Sequence, residues 1–427
     1  MACLDIFGFQ KKKKKWKILP AFYILGIISG CASVPIPRIV PVPVDKFQAY
    51  DMPDGTKIYP ASVDETIPDV DILAINNNIK SLLDEKVIKI KNPQKRLITL
   101  ADILTDKISY NTVNDSYGVK TAQETFDTKT GNCLSFSNLF VAMSRYAGFK
   151  SRFAEIPTLP NWSREGEVLF FNKHIGISVD IRDLNPQVIQ LRITADSSRI
   201  ITVDNSIRYY FYPSELIPDE SAVDTFSLQP IPDNRAFAQY YNNIGSKNMA
   251  KGNYPDAFRY FVKAIKTDPK LSFAWSNLGV LYRRNNQFDA AEAAYYQGLS
   301  VTHGSKDTSM LTIMNNLANL YDITGNAEKA DFFKKQVASF RDKNPYYRYA
   351  EGKMAYNESS YKKSVDFFKK AIRLKGDEHL FYYSLALAYI KTGDLKKAEA
   401  SINRAIEYSQ DTRQKEYYEK VRDILKK

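Results

Sequence analysis

Between Arg235 and Lys427 small residues recur at a fixed step, and this constrains the chain more than any other feature. Gly245, Gly279, Ala318, Gly352 and Ala386 stand 34, 39, 34 and 34 positions apart, and Ala257, Ala291, Ala330, Ser364 and Ala398 repeat the same intervals. Two independent series that share one insertion, between Val301 and Ser309, define a repeating unit. A unit that short cannot enclose a core of its own. It folds by stacking on its neighbours, so the C-terminal half must be a linear array.

Pro269, Trp275, Leu278 and Tyr282 sit at fixed offsets within this unit, and with them the array resembles the tetratricopeptide repeat (TPR). The resemblance implies five helical hairpins, about 238–271, 272–305, 311–344, 345–378 and 379–412. They stack into an all-α, right-handed solenoid whose groove takes a protein or peptide partner, and 413–427 forms a capping helix. The small residues let paired helices approach, and Tyr254, Phe288 and Tyr361 fill the space between hairpins. His303 and His379 fall near repeat junctions and read as structural.

The N-terminus carries a different message. Lys11 to Lys15 and Lys17 form a positive region, Ile18 to Ile28 an apolar run of signal-peptide length, and Ile28-Ser29-Gly30-Cys31 resembles the lipobox of bacterial lipoproteins. The resemblance implies removal of residues 1–30, diacylglycerol on Cys31 and a lipid-anchored place in the cell envelope. The absence of aspartate at Ala32 and Ser33 points to the periplasmic face of the outer membrane in a two-membrane bacterium. Pro35, Pro37, Pro41 and Pro43 then read as an extended tether over 31–46. Of the formal net charge of +12, the segment 1–30 supplies five. The remainder reads as a mild, spread bias, with no basic stripe of the kind nucleic-acid binding needs.

The three cysteines are Cys3, Cys31 and Cys133, and the three histidines His174, His303 and His379. Only Cys133 lies in a globular region, so no internal disulfide is available there, and only His174 lies outside the repeats. Phe136, Leu139, Phe140, Met143 and Tyr146 or Ala147 have the spacing of one buried helical face, Gly148 marks its end, Asn132 its N-cap, and Gly131 a close turn into it. A helix beginning at Cys133 directs unpaired amides and the positive end of its dipole at the sulfur, which favours the reactive thiolate.

Upstream, Ile72 to Ile75 with Ile79, Leu82 and Leu83 read as one helix, and Leu97, Ile98, Leu100, Ala101, Ile103 and Leu104 as another. Asp115 to Thr121 reads as a polar loop. Downstream, Phe149–Ile156 and Val168–Ile181 read as strands, the second with Ile175, Ile177, Val179 and Ile181 on one face and His174, Gly176, Ser178 and Asp180 on the other. Val188–Ala195 and Arg199–Asp204 read as a hairpin. Helix then antiparallel sheet, with cysteine, histidine and aspartate at element starts and strand positions, is an α+β thiol-enzyme layout.

Gly131-Asn132-Cys133, the apolar helix ending at Gly148, Asn172-Lys173-His174-Ile175 and Ile201-Thr202-Val203-Asp204 resemble the transglutaminase-like core, a relative of the papain fold. The resemblance implies Cys133 as nucleophile, His174 as base and Asp204 as orienting carboxylate, within a domain over 47–215 that a linker, 216–237, joins to the repeats. Asp180 is the alternative carboxylate, since it shares the face of His174; Asn205 is a further candidate, and Asp196 is a turn residue. A thiol, an imidazole and a carboxylate suffice for acyl transfer to water or to an amine, with no cofactor or metal. The implied function is an exported, lipid-anchored thiol hydrolase, peptidase or acyltransferase acting at peptide or isopeptide amides. The alternative is an inactive scaffold of an envelope complex.

Overall fold

A computed structural model describes residues 42–107, 118–156, 162–165, 168–171, 174–180, 188–191, 229–302, 309–409 and 412–425. Cys31, Asp204, Asn205, Asp196 and His303 lie outside them.

The N-terminal part begins with a small hairpin, β1 (Tyr50–Asp51) and β2 (Lys57–Ile58), followed by α1 (Val63–Thr66), α2 (Asn77–Leu83), α3 (Pro93–Lys107), α4 (Ala122–Thr128) and α5 (Cys133–Tyr146). A four-stranded antiparallel sheet follows, ordered β7-β6-β3-β8, from β3 (Lys150–Ile156), β6 (His174–Asp180), β7 (Val188–Leu191) and β8 (Gln229–Pro230). A separate hairpin pairs β4 (Trp162–Glu165) with β5 (Val168–Phe171). The span Val168–Ile181 is therefore two strands in two sheets.

Residues 72–75 are not helical. Asn76 starts α2 by accepting the Ile79 N–H at 3.1 Å, and the Ile72 carbonyl accepts the Ala122 N–H at 2.8 Å, which ties this turn to α4. In α3 the apolar stripe is buried except for Ile98, which is 42% exposed.

Helix α5 is more deeply set than one apolar face requires. Phe136, Leu139, Phe140 and Met143 are buried as their spacing predicts, and so are Ser135, Ser137, Asn138, Val141 and Ser144, because sheet covers one side and α2 to α4 the other. At its C-terminal end Ala147 is buried and Tyr146 faces solvent.

The repeats comprise α6 (Asp233–Ala250), α7 (Tyr254–Thr267), α8 (Ser272–Arg284), α9 (Phe288–Ser300), α10 (Ser309–Ile323), α11 (Ala327–Lys343), α12 (Pro345–Asn357), α13 (Tyr361–Leu374), α14 (His379–Thr392) and α15 (Leu395–Tyr408), closed by α16 (Thr412–Leu425). They pack as successive hairpins. The small residues do what their spacing requires: a Cβ on Gly245, Gly279 or Gly352 would stand 2.4–2.7 Å from ring carbons of Phe261, Tyr295 or Phe368 on the paired helix. His379 is buried, with Nδ1 3.0 Å from the Tyr418 hydroxyl of α16.

Two stretches read as connections are built into the fold. Within the expected linker, β8 pairs with β3, the Ile231 N–H donates to the Phe153 carbonyl at 2.9 Å, and α6 starts at Asp233. The end of the expected tether is likewise bound, since Val44 is buried and the Val42 N–H donates to Gln297 Oε1 of α9 at 3.1 Å.

Residues 48–51 continue over the repeats. Gln287 is read on both sides: its Oε1 accepts the Asp51 N–H at 3.1 Å and its Nε2 donates to the Ala49 carbonyl at 2.8 Å. Asn285 Nδ2 donates to the Asp51 carbonyl at 2.7 Å, and the Tyr282 hydroxyl donates to the Gln48 carbonyl. Phe47 lies 4.9 Å from Trp275 and Tyr50 5.3 Å from Phe258, ring centre to ring centre. Lys263 of α7 bridges Asp64 at 2.9 Å and Asp69 at 2.7 Å, and Lys266 bridges Asp45 at 2.8 Å and Asp64 at 2.7 Å. Burial works against both ammonium charges, but the hydrogen bonds to these aspartates outweigh it and raise both pKa values.

Among the described residues the two parts thus share one buried cluster, with members from Val44 to Ala350. At the junction Phe153 meets Phe237 edge-on at 6.3 Å, Tyr241 OH accepts the Val70 N–H at 3.3 Å, and Arg145 holds Asp233 through two hydrogen bonds of 2.6 and 2.8 Å. Burial, and then the charge of Glu124, push the Tyr240 phenol well above its ordinary pKa.

Candidate active site

The turn into α5 is held by a small polar network. Helix α4 ends on Lys129 in the left-handed region, with φ +55°, and Gly131 follows where a Cβ would stand 2.5 Å from Ser135 Cβ. Asn132 caps α5: its Oδ1 accepts the Ser135 N–H at 3.0 Å, and Ser135 Oγ accepts the Asn132 N–H at 3.3 Å, a reciprocal box. Ser135 Oγ also accepts the Lys120 N–H at 2.9 Å, and Asn138 Nδ2 donates to the Lys120 carbonyl at 3.0 Å. The loop at 118–121, read as plain polar connection, is therefore pinned along the first turns of α5. The signal for Ser135 was present as the Asn-x-x-Ser spacing of a capping box; nothing local marked Asn138, whose role depends on a loop far upstream.

Cys133 is the first residue of α5. At Gly148, with φ +85°, the chain turns back, and Ser151 Oγ meets Ser144 Oγ at 2.7 Å and the Val141 carbonyl at 3.4 Å, so β3 runs back along the helix. A 14-residue helix and a seven-residue strand both span about 20 Å. From that anchor β3 heads toward the Cys133 end of α5, with Ile156 as its last residue. In the register of β3 with β6, Ile156 pairs with His174. Positions 133 and 174 are thus brought to the same end of the helix–sheet layer.

Asp180 is not. It closes β6 opposite Lys150, at the far end of the strand and about 20 Å from His174, at the Arg145 end of α5. Sharing a strand face with His174 does not bring it within reach, so Asp180 is removed as the orienting carboxylate. β7 runs from Val188, opposite Asp180, to Leu191, opposite Ile177.

Polar atoms without partners cluster here. Among the described residues of the N-terminal part, the buried side-chain oxygens lacking a hydrogen bond are Ser137 Oγ and Asn138 Oδ1, both in the first two turns of α5. Unsatisfied buried groups are rare, and these two lie within five residues of Cys133. No group of three His, Cys, Asp or Glu side chains among the described residues is placed to hold a metal ion.

Residues 80–179 match the transglutaminase-like superfamily, and residues 260–293 and 380–412 match the tetratricopeptide repeat. The chain joins a transglutaminase-like domain to tetratricopeptide repeats. Among curated proteins it is 25% identical over 194 residues to human protein O-mannosyl-transferase TMTC3, covering 43% of this chain and 21% of that protein. It is 33% identical over 64 residues to the protein MJ0572 of Methanocaldococcus jannaschii, covering 15% of this chain and 74% of that one. The chain thus spans about a fifth of the length of its human relative. Among solved structures, MamA from Desulfovibrio magneticus aligns with 16% identity and a TM-score of 0.23, over 42% of this chain and 99% of that one. Tetratricopeptide repeats in general mediate protein–protein contacts. In this chain the transglutaminase-like domain and the first repeats are one packed body.

Proposed function

We propose that this protein is an exported, lipid-anchored thiol acyl-transfer enzyme that acts at peptide or isopeptide amides, with its repeats docking a protein partner. Cys133 attacks the acyl carbon, His174 accepts the thiol proton and returns it to the leaving amine, and Asp204 orients the imidazole. The amide of Cys133, at the free end of α5, donates to the developing oxyanion. Water or an amine then takes the acyl group from the sulfur. Cys31 carries the lipid, which places the enzyme at the periplasmic face of a bacterial outer membrane.

The observation that carries the reading is the arrangement of α5, β3 and β6. The return of β3 along α5 and the pairing of Ile156 with His174 support a shared end for the domain's lone cysteine and its lone histidine. The polar network of Asn132, Ser135, Asn138 and Lys120 supports it, because it stiffens the turn from which the nucleophile is presented.

The test is iodoacetamide alkylation of Cys133, followed by mass spectrometry, from pH 5 to 9. An activated thiolate reacts near neutral pH at least tenfold faster than a free thiol of ordinary pKa about 8.5, and His174→Ala removes that excess. A rate that climbs only above pH 8 in both proteins refutes catalysis and leaves a scaffold.

A further inference from the structure

The surface that holds residues 42–69 occurs twice in the chain. Three repeat steps, the insertion included, lead from the first pair of repeats to the fourth and fifth, and they carry Tyr254 onto Tyr361, Ala257 onto Ser364 and Tyr282 onto Tyr389. By the same displacement Lys263 falls on Lys370 and Lys266 on Arg373. In the first pair those lysine side chains are only 6% and 15% exposed, covered by Asp45, Asp64 and Asp69. Lys370 and Arg373 are both exposed. Among the described residues no carboxylate bridges either of them, nor Lys369 beside them.

The apolar positions show the same contrast. Phe288, partly buried against the shared core, corresponds to Leu395, which is 51% exposed, and Leu374 at the end of α13 is 44% exposed. The second surface is also more cationic. Lys369 of α13 and Lys397 of α15 stand 5.7 and 5.6 Å from the ring of Tyr389, while Asp394 and Glu407 are engaged by Lys397 and Arg404. The amides that hold main chain in the first surface, Asn285, Gln287 and Gln297, become Thr392, Asp394 and Arg404.

Charge over the whole chain follows this division. Residues 327–427 hold 23 Lys and Arg against 15 Asp and Glu, whereas residues 31–326 hold 31 against 32. The positive excess expected to be spread is concentrated on the last repeats and the cap.

We propose that the face of the fourth and fifth repeats formed by α13, α14 and α15 docks an extended acidic segment of a partner protein, seated as residues 42–69 are seated on α7, α8 and α9. The proposal rests on the reading of the repeats as a docking module and is independent of Cys133. Carboxylates of the partner take the places of Asp45, Asp64 and Asp69 against Lys370, Arg373 and Lys369, and an apolar side chain covers Leu374 and Leu395. The first surface supplies the precedent within the same molecule, and its occupant supplies the chemistry.

The test uses the full chain and a fluorescein-labelled synthetic peptide of residues 42–69, which carries six acidic residues against two lysines. Anisotropy should show saturable binding that weakens as salt rises. The reversal Lys370→Glu with Arg373→Glu should weaken it at least tenfold, whereas Lys415→Glu with Lys420→Glu on α16, an equal change of net charge, should leave it within twofold. A photoreactive group at the Tyr50 position of the peptide should crosslink to α13 or α15. Binding indifferent to the first reversal, or crosslinks confined to α7 and α9 through exchange with the chain's own segment, overturns this site. Absence of any saturable binding overturns the docking reading with it.

Discussion

Gly352→Ala tests whether the period that organises the repeats is a packing device. In an unconstrained helix interior this change stabilises by roughly 0.5–1 kcal/mol, because glycine loses more backbone freedom on folding. Here the added Cβ stands 2.4 and 2.5 Å from Cε1 and Cδ1 of Phe368, a ring with no room to retreat because it is fully buried. Overpacking of that kind costs about 1–3 kcal/mol, so the net expectation is destabilisation by about 1–2 kcal/mol.

The fifth repeat indicates the remedy. It has Ala386 and Ile402 where the fourth has Gly352 and Phe368, and both are buried in one cluster. Phe368→Ile alone leaves a void and costs about 2 kcal/mol. Gly352→Ala with Phe368→Ile reproduces the neighbouring pair and should cost about 1 kcal/mol less than the two singles added together, or better. Urea unfolding followed by far-UV circular dichroism, completed as a double-mutant cycle, measures this. A stabilised Gly352→Ala, or strict additivity, would refute the close-approach account.

Two further outcomes follow from the junction. The pKa of Asp64 is lowered because hydrogen bonds to Lys266 and Lys263 outweigh the opposing effect of burial, so its contribution is full above the unfolded carboxylate value of about 3.9 and is lost as pH falls. Lys263 and Lys266 are raised, so theirs is full below about 10.4 and is lost at higher pH. Hydrogen exchange of residues 42–69, corrected for intrinsic rate, should therefore be unchanged down to about pH 4 and increase progressively as pH falls further, while α8 stays protected; protection unchanged down to about pH 2 counts against the ionic clamp. Arg145→Met removes the paired hydrogen bonds to Asp233 and those to the Ser151 carbonyl, and should lower stability by about 1–3 kcal/mol. Asp233→Asn, which keeps one acceptor and leaves the bonds to the Ser151 carbonyl, should cost less, and equal losses would argue that the pair with Asp233 alone holds the junction.

Much of the molecule was legible because its signals are local or periodic. The start of α5 at Cys133 follows from an N-cap beside an apolar stripe, and the helical hairpins from small residues at a constant step, of which the glycines face an aromatic ring across the pair. The failures share a physical reason. Residues 72–75 carry helical spacing, yet Ile72 gives its carbonyl to Ala122, a partner no window around residue 72 contains. Asp180 shares a face with His174, but period two says nothing of distance along a strand, and the length of β6 puts it at the other end of the layer.

Sequence alone determined the two modules, the residue types available for thiol chemistry and the helix end that presents Cys133, since each depends on neighbours within a few turns or on a repeat that echoes itself. Tertiary structure decided that the modules are one body. Val42 to Lys46 and Gln229 to Ile231 have the proline-punctuated composition of linkers, yet Val44 is buried and their main-chain groups are satisfied by Gln297 and by β3, both remote in the chain from the segments they hold. Pairings over such separations leave no pattern in a linear sequence, and only the folded chain brings their partners together.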